Sequence, residues 1–306
     1  MRSSSALNGL TKSELFDLVC TLNKKGGPEA HEYEYLNKCI NSIPIMLSKE
    51  LINLEDVENI KDQCDFLKTD STVAGHAKLK PFGYAGDYLI IDKIYQKKVS
   101  EKYFKWDHHA MNTAAVEAVR NRKQFFKKLI HSKLREHKTM RLLNIASGPA
   151  RDLKEIYDEI NPERLQTTCV EMDANAIEYA KNLCGNYLLQ IEFINQNIFK
   201  FSSNEKFDLI WSAGLFDYFN DKIFIQLTKR LRGYLNQNGE MVIGNFSRNN
   251  PHRTYMEIFG EWFLNHRNVD ELLGLAIQAG VDKSKITVNE EPLGVNLFLR
   301  MNNQTA

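Results

Sequence analysis

Arg141–Asp152 reads RLLNIASGPARD, and the fold follows from how this stretch changes character. Leu142, Leu143, Ile145 and Ala146 make a short apolar run with β character. Ser147-Gly148-Pro149 ends it, and DLKEIYDEI from Asp152 opens a helix. A buried strand running straight into a glycine turn and a helix is how α/β sheets present backbone N–H groups to a ligand. About 20 residues further on, Thr168, Cys169 and Val170 form a second apolar run that ends in Glu171, the place where such folds keep an acid for a ribose. The turn and the acid together read as a site for a nucleoside cofactor.

The turn also selects among nucleosides. A dinucleotide fingerprint needs several glycines so that backbone can approach a pyrophosphate. Here Gly148 is followed by Pro149, Ala150 and Arg151, and Pro149 has no N–H to give a phosphate. A ligand without phosphates suits the turn better, and S-adenosylmethionine (SAM) is the common one. A plain strand-to-helix turn with a surface Glu is the bland alternative.

From Arg141 onward, strand and helix patterns alternate, which implies a mostly parallel sheet with helices on both faces. The strands are placed at Leu142–Ala146, Gln166–Glu171, Ile191–Asn195, Phe207–Ser212 and Gly239–Asn245, with helices at Asp152–Ile160 and Asn175–Leu183. In such a sheet the loops at the carboxyl ends of the strands gather around one crevice. That rule groups Ser147 and Gly148 with Glu171 and Met172, Asn197 and Ile198, and Ser212, Ala213 and Gly214 as cofactor contacts; Ala146 and Asp152 beside the turn and Tyr218 after the fourth strand are further candidates. Asn197 would face the adenine amino group, with Ile198 and Met172 on either side of the ring. Ile286–Glu291 and Val295–Met301, joined by Pro292-Leu293-Gly294, form a closing antiparallel hairpin. The expected fold is therefore a Rossmann-like α/β methyltransferase sheet with a helical cap.

The first part of the chain has a different texture. Thr11–Glu14 matches a capping box, and Leu15, Phe16, Leu18, Val19 and Leu22 repeat at helical spacing. A second helix spans roughly Glu32 to Ile43 and is expected to stop before Pro44. A third carries Leu54, Val57, Ile60, Cys64 and Leu67. Lys80–Asp87, KPFGYAGD, is a stiff loop that displays Phe82, Tyr84 and Asp87 before a helix at Tyr88–Tyr95. It reads either as a substrate wall or as a turn in which Asp87 caps the next helix. One long amphipathic helix or two follow from Tyr103 to Lys138. Residues 1–138 are thus expected as a helical cap or substrate lid, or as a dimerisation element. Residues 139–306 would be the SAM-binding domain.

The 306 residues carry 43% hydrophobic side chains, enough for a full core. Lys+Arg 40 against Asp+Glu 39 leaves the charge near neutral, which disfavours nucleic acid as a partner. Five scattered cysteines without CxxC spacing read as reduced thiols of a cytoplasmic protein, with no zinc site. Neither a signal peptide nor a run long enough to span a membrane is expected.

ASGPARD, CVEMDANAIEYA (Cys169–Ala180) and FDLIWSAGLFDYF (Phe207–Phe219) resemble the motifs of class I SAM-dependent methyltransferases. More narrowly, four stretches resemble bacterial enzymes of 3-hydroxy fatty acid methyl ester biosynthesis, which are implied to make a 3-hydroxypalmitate methyl ester. They are Gly75–Tyr95, Thr113–Phe126, Asn250–Arg267 and Glu291–Met301. The resemblance implies SAM as cofactor and a small, lipid-like acid as methyl acceptor. On the acceptor side, Tyr84, Arg120 and Tyr255 are catalytic candidates, and Asp87, His108, His252 and Arg267 are substrate-binding candidates. Rival readings are O- or N-methylation of another small metabolite with His252 as base, a protein or RNA methyltransferase, and a SAM-binding module without catalysis. A homodimer is compatible with all of them.

Overall fold

The computed structural model describes residues 10–303. Seven helices come first: α1 (Lys12–Lys24), α2 (Tyr33–Ser48), α3 (Leu54–Asp62), α4 (Val73–Leu79), α5 (Tyr88–Gln96), α6 (Phe104–Met111) and α7 (Ala114–Glu136). Then β1 (Met140–Ile145), α8 (Arg151–Glu159), β2 (Leu165–Glu171), α9 (Ala174–Leu183), β3 (Ile191–Asn195) and β4 (Phe207–Ser212) alternate. The chain finishes with α10 (Asp221–Arg232), β5 (Leu235–Phe246), α11 (Arg253–Ile258), α12 (Val269–Gln278), β6 (Ile286–Glu290) and β7 (Asn296–Asn302). The elements fall into two compact units, one holding the chain up to Glu117 with Pro251–Phe263, the other Ala118–Asn250 with the chain from Leu264 on.

The first unit is all-helical. Thr11 and Glu14 form the expected reciprocal capping box at the start of α1. The expected stop before Pro44 does not occur, because α2 runs through it to Ser48. The proline removes one N–H donor, yet Ile43 and Met46 continue the buried stripe begun by Leu36, Cys39 and Ile40. Burial of that stripe outweighs one lost bond, since each buried aliphatic side chain contributes roughly 1.5–3 kcal/mol. Farther along, Phe66 stacks on Trp106 at 4.3 Å and tilts against Phe259 at 6.2 Å. Phe259 follows α11 directly, so the Pro251–Phe263 segment completes this helical core.

The second unit is a seven-stranded sheet in the order β3-β2-β1-β4-β5-β7-β6. Neighbouring strands among β1–β5 pair in parallel, and β7 pairs antiparallel with both β5 and β6. Alternation along each strand feeds two cores. Leu143, Ile145, Ile210, Met241, Ile243 and Leu299 pack with Phe224, Leu227 and Leu231 of α10 and Leu272 and Leu275 of α12. Leu142, Leu209, Trp211, Val242 and Phe298 pack with Phe126 and Ile130 of α7 and Leu153 and Ile156 of α8. The change of sequence pattern suggests a boundary at 138/139. Packing moves it to 117/118, because α7 from Ala118 onward lends its apolar face to the sheet.

Glu240 on β5 is fully buried and bridges two cations, Arg300 at 2.6 and 3.0 Å and Lys133 at 2.8 Å. Arg300 lies diagonally across on β7, whose residue Asn302 pairs with Glu240. These partners hold the carboxyl below its usual range although burial opposes them. A depressed carboxylate stabilises the fold above its unfolded value and loses that contribution as pH falls through the folded value. Glu240→Gln is expected to lower stability near neutrality by about 3–5 kcal/mol, as removal of one buried partner does. It should also flatten the acid limb of a urea-denaturation pH series, and an unchanged limb would refute the assignment.

Candidate active site

The turn after β1 has left-handed backbone at alternate positions: Ala146 (φ 53°), Gly148 (φ 54°) and Ala150 (φ 53°). Two of these are alanines, for which such backbone costs roughly 1–2 kcal/mol each. The amides are turned to internal use. Ala146 N–H donates to Val170 O at 2.8 Å, Ala150 N–H to Ser147 O at 3.2 Å, and Gly148 N–H to Glu171 Oε2 at 3.0 Å. With Pro149 contributing none, the expectation that this turn offers a row of N–H groups to a ligand is corrected. An amide-poor turn is a poor phosphate cradle, which reinforces the choice of a phosphate-free nucleoside.

Glu171 organises the strand ends. Besides Gly148, its carboxylate accepts from Met172 N–H at 2.8 Å and Asp173 N–H at 3.0 Å. Burial raises its pKa in spite of these three bonds. A carboxylate has about four lone-pair sites, so acceptor capacity remains for a hydroxyl. Next to it Met172 is 66% exposed, an unusual position for a large apolar side chain. Phe199 after β3 and Tyr218 after β4 are also exposed, at 47% and 42%. Apolar surfaces left open at three successive strand ends are what a flat heterocycle would cover. Asn197 Oδ1 accepts from Phe199 N–H at 2.9 Å and so shapes its own turn, while Ile198 is buried in the core.

At the end of β4, Ser212 is fully buried and its Oγ has no hydrogen-bond partner among the described residues. A Cβ on Gly214 would stand 2.6 Å from Arg122 Nη1 and 3.6 Å from Asp217 Oδ2. The Arg122 guanidinium also donates to Ala213 O at 3.1 Å. Burial pushes Asp217 up to about 7, against its bond from Phe246 N–H and the nearby Arg122 and Arg267. Asp152, in the first turn of α8, is pushed up to about 6 by burial, opposed by a bond from Leu153 N–H. Arg122 and Asp217 were not singled out as site residues from sequence. Their spacing from the glycine is a tertiary fact that no local pattern carries.

Several acceptor-side expectations change. Arg267 spends all of its donors on Asp221, Asn245 Oδ1, Phe216 O and Phe219 O, and lies over the Phe224 ring at 4.9 Å. It therefore ties strand ends together and has nothing left for a substrate. Asp87 is fully buried, caps α5 through Leu89 and Ile90 N–H, and meets His76 Nε2 at 2.7 Å, so it is the helix cap and not a substrate ligand. His108 is exposed and bonds Tyr33 Oη at 2.9 Å, whereas its neighbour His109 is the buried one. Tyr84 is half-buried in the loop before α5, and Arg120 is buried on α7. His252 Nδ1 accepts from Ala114 N–H at 3.1 Å, and Tyr255 is buried on α11.

Residues 136–287 match the model of a family described as a methyltransferase domain. That segment carries the turn, Glu171 and the strand ends just described, so it is a methyltransferase domain. With the sheet order of the class I enzymes, the protein is a SAM-dependent methyltransferase. No curated protein matches the sequence. Among solved structures, a possible exported protein from Bordetella parapertussis is similar over 99% of this chain and 100% of that one, with TM-score 0.63 and 13% identity. A candidate O-methyltransferase from Nostoc punctiforme shares 78% of this chain and 70% of its own, with TM-score 0.52 and 14% identity. At such identities the likeness establishes the fold alone.

Glu171→Gln keeps the size of the side chain but has an amide nitrogen in place of one acceptor. It is expected to weaken SAM binding in calorimetry by about tenfold or more, or roughly 1.4 kcal/mol. Undiminished affinity in a folded Glu171→Gln or Glu171→Ala protein would remove Glu171 from the cofactor site.

Proposed function

We propose that the protein methylates the carboxylate oxygen of a fatty acid or similar small acid, in keeping with the subfamily its sequence resembles. The observation that carries this reading is the state of His252. A hydroxyl or amine acceptor must lose a proton, and His252 is the base that such chemistry would use. Its Nδ1 is occupied by the Ala114 N–H, its Nε2 lies 3.0 Å from the Asn37 amide, and burial lowers its pKa to about 4. A base so weak and so engaged is poorly suited to the task. A carboxylic acid, with a reference pKa of about 4, is already ionised near neutrality and needs orientation only.

When bound, SAM supplies an electrophilic methyl group on a sulfonium. The chain's own part is to hold the ribose at Glu171, cover the heterocycle with Met172, and leave room beside Ser212, Ala213 and Gly214. Arg120, a buried cation on α7, is the natural counter-charge for an anionic acceptor. No helix among the described residues is long and apolar enough to cross a membrane. The five cysteines are free thiols, which fits a reducing, cytoplasmic setting.

The test is product-mass analysis after incubating the full chain with SAM and a panel of fatty acids, phenols and amines. Base-labile methyl esters from the acids are expected, and Arg120→Leu should cut their yield by about tenfold or more at limiting acid, as loss of a charged hydrogen-bond pair does. Methylation confined to phenols or amines would replace this reading with its rival.

A further inference from the structure

Inside the helical unit, Asn37 lies between two histidines. Its Oδ1 stands 2.9 Å from His109 Nε2 and its Nδ2 stands 3.0 Å from His252 Nε2. The Ala114 N–H donates to His252 Nδ1. A backbone N–H can only donate, so Nδ1 of that ring carries no proton and the neutral ring is protonated at Nε2. That N–H must meet an oxygen, and an amide interchanges its oxygen and nitrogen by a half-turn, its orientation being decided by the network around it. With the oxygen of Asn37 toward His252, its NH2 donates to His109 Nε2, which must then be bare. His109 is thereby left with its proton on Nδ1.

Among the described residues, His109 Nδ1 has no hydrogen-bond partner although the residue is only 1% exposed. Tyr255 Oη is in the same position, on a residue 6% exposed. The two rings meet edge to face at 5.2 Å, with Tyr33 edge-on to His109 at 4.8 Å and Phe259 tilted against Tyr255 at 5.3 Å. A buried donor left unmet loses its water without replacing it, so two in one aromatic surround ask for an oxygen.

We propose that His109 Nδ1–H and Tyr255 Oη–H together bind a carbonyl oxygen of an apolar ligand. A carbonyl has two lone pairs for two donors and brings no proton that would need its own acceptor. A carboxylate fits less well. Burial lowers His109 to about 3 and His252 to about 4, so both rings stay neutral, and Tyr33, Asn37 and Phe259 add no positive charge. An anion buried without a counter-charge is disfavoured, because nothing replaces the hydration it loses. The binding stands apart from the function proposed above and does not rest on it.

The test uses the full chain with nitrogen-15-labelled histidine and, as probes, methyl hexyl ketone, octanoate and octane. The free protein should show His109 as the Nδ1–H tautomer. The ketone should move its Nδ1 resonance saturably, octanoate should bind about tenfold more weakly, and octane should leave the resonance in place. Tyr255→Phe, checked for an unchanged melting temperature, should weaken ketone binding by about tenfold, and His109→Phe should do the same if it folds. An Nε2–H tautomer would overturn the proposal. So would a resonance that no probe moves, because a ring face or an internal water then satisfies the N–H. Octanoate binding as tightly as the ketone would overturn it as well. A protein that binds the ketone but esterifies no acid would sink the function proposed above and leave this site standing.

Discussion

Three amides converging on the Glu171 carboxylate hold the cofactor end of the sheet in shape. The Gly148 bond reaches from β2 to the turn after β1, and the Met172 and Asp173 bonds fold the chain back at the end of β2. That clasp operates where the backbone is least comfortable, between left-handed alanines at 146 and 150. Hydrogen bonds to a charged group contribute about 1.5–3 kcal/mol each, the same order as the strain they confine. The acid thus has a structural duty before any ligand arrives, and its raised pKa records how much burial that duty imposes.

A similar economy governs the other buried charges of the sheet unit. Arg267 is surrounded by carbonyls, an amide oxygen and Asp221, and Glu240 by Arg300 and Lys133, so each is paired. Asp217 and Asp152 differ. Each carboxylate accepts a backbone N–H, from Phe246 and Leu153 respectively, and has a pKa raised by burial. Groups whose environments do not settle them, placed at strand ends beside small residues, are the usual mark of a place built for an incoming molecule. The paired charges make the frame, and the unsettled ones lie close to the turn after β1 and the small residues after β4.

Much of this was legible in the sequence. Strand positions and the closing hairpin followed from alternation and from glycine or proline turns, because a β-strand's neighbours in the sheet are dictated by its own two faces. The capping box at Thr11 and the acid at Glu171 are likewise local signatures. Pro44 misled because a proline's cost is local while the stripe through Met46 that outweighs it is tertiary. Asp87 and Arg267 misled for the complementary reason, since a charged residue beside a glycine loop looks available until its distant partners are known. His108 and His109 could be told apart only by the phase of α6, and a helix of eight residues leaves that phase open.

The same contrast explains why the cluster at the strand ends is easier to read than the polar cluster of the helical unit. The strand-end residues come from consecutive strands whose order is implied by the fold class, so four short stretches of sequence suffice to bring them together. The polar cluster of the helical unit joins Asn37 to His252, 215 positions apart, and His109 to Asn37, 72 apart. Its chemistry turns on which nitrogen of each ring carries a proton, and one backbone N–H, that of Ala114, decides that for the whole cluster. Proton placement of this kind propagates through contacts and not along the chain. It leaves no trace in spacing or composition, and it becomes available to argument only when the donors and acceptors can be counted against one another in space.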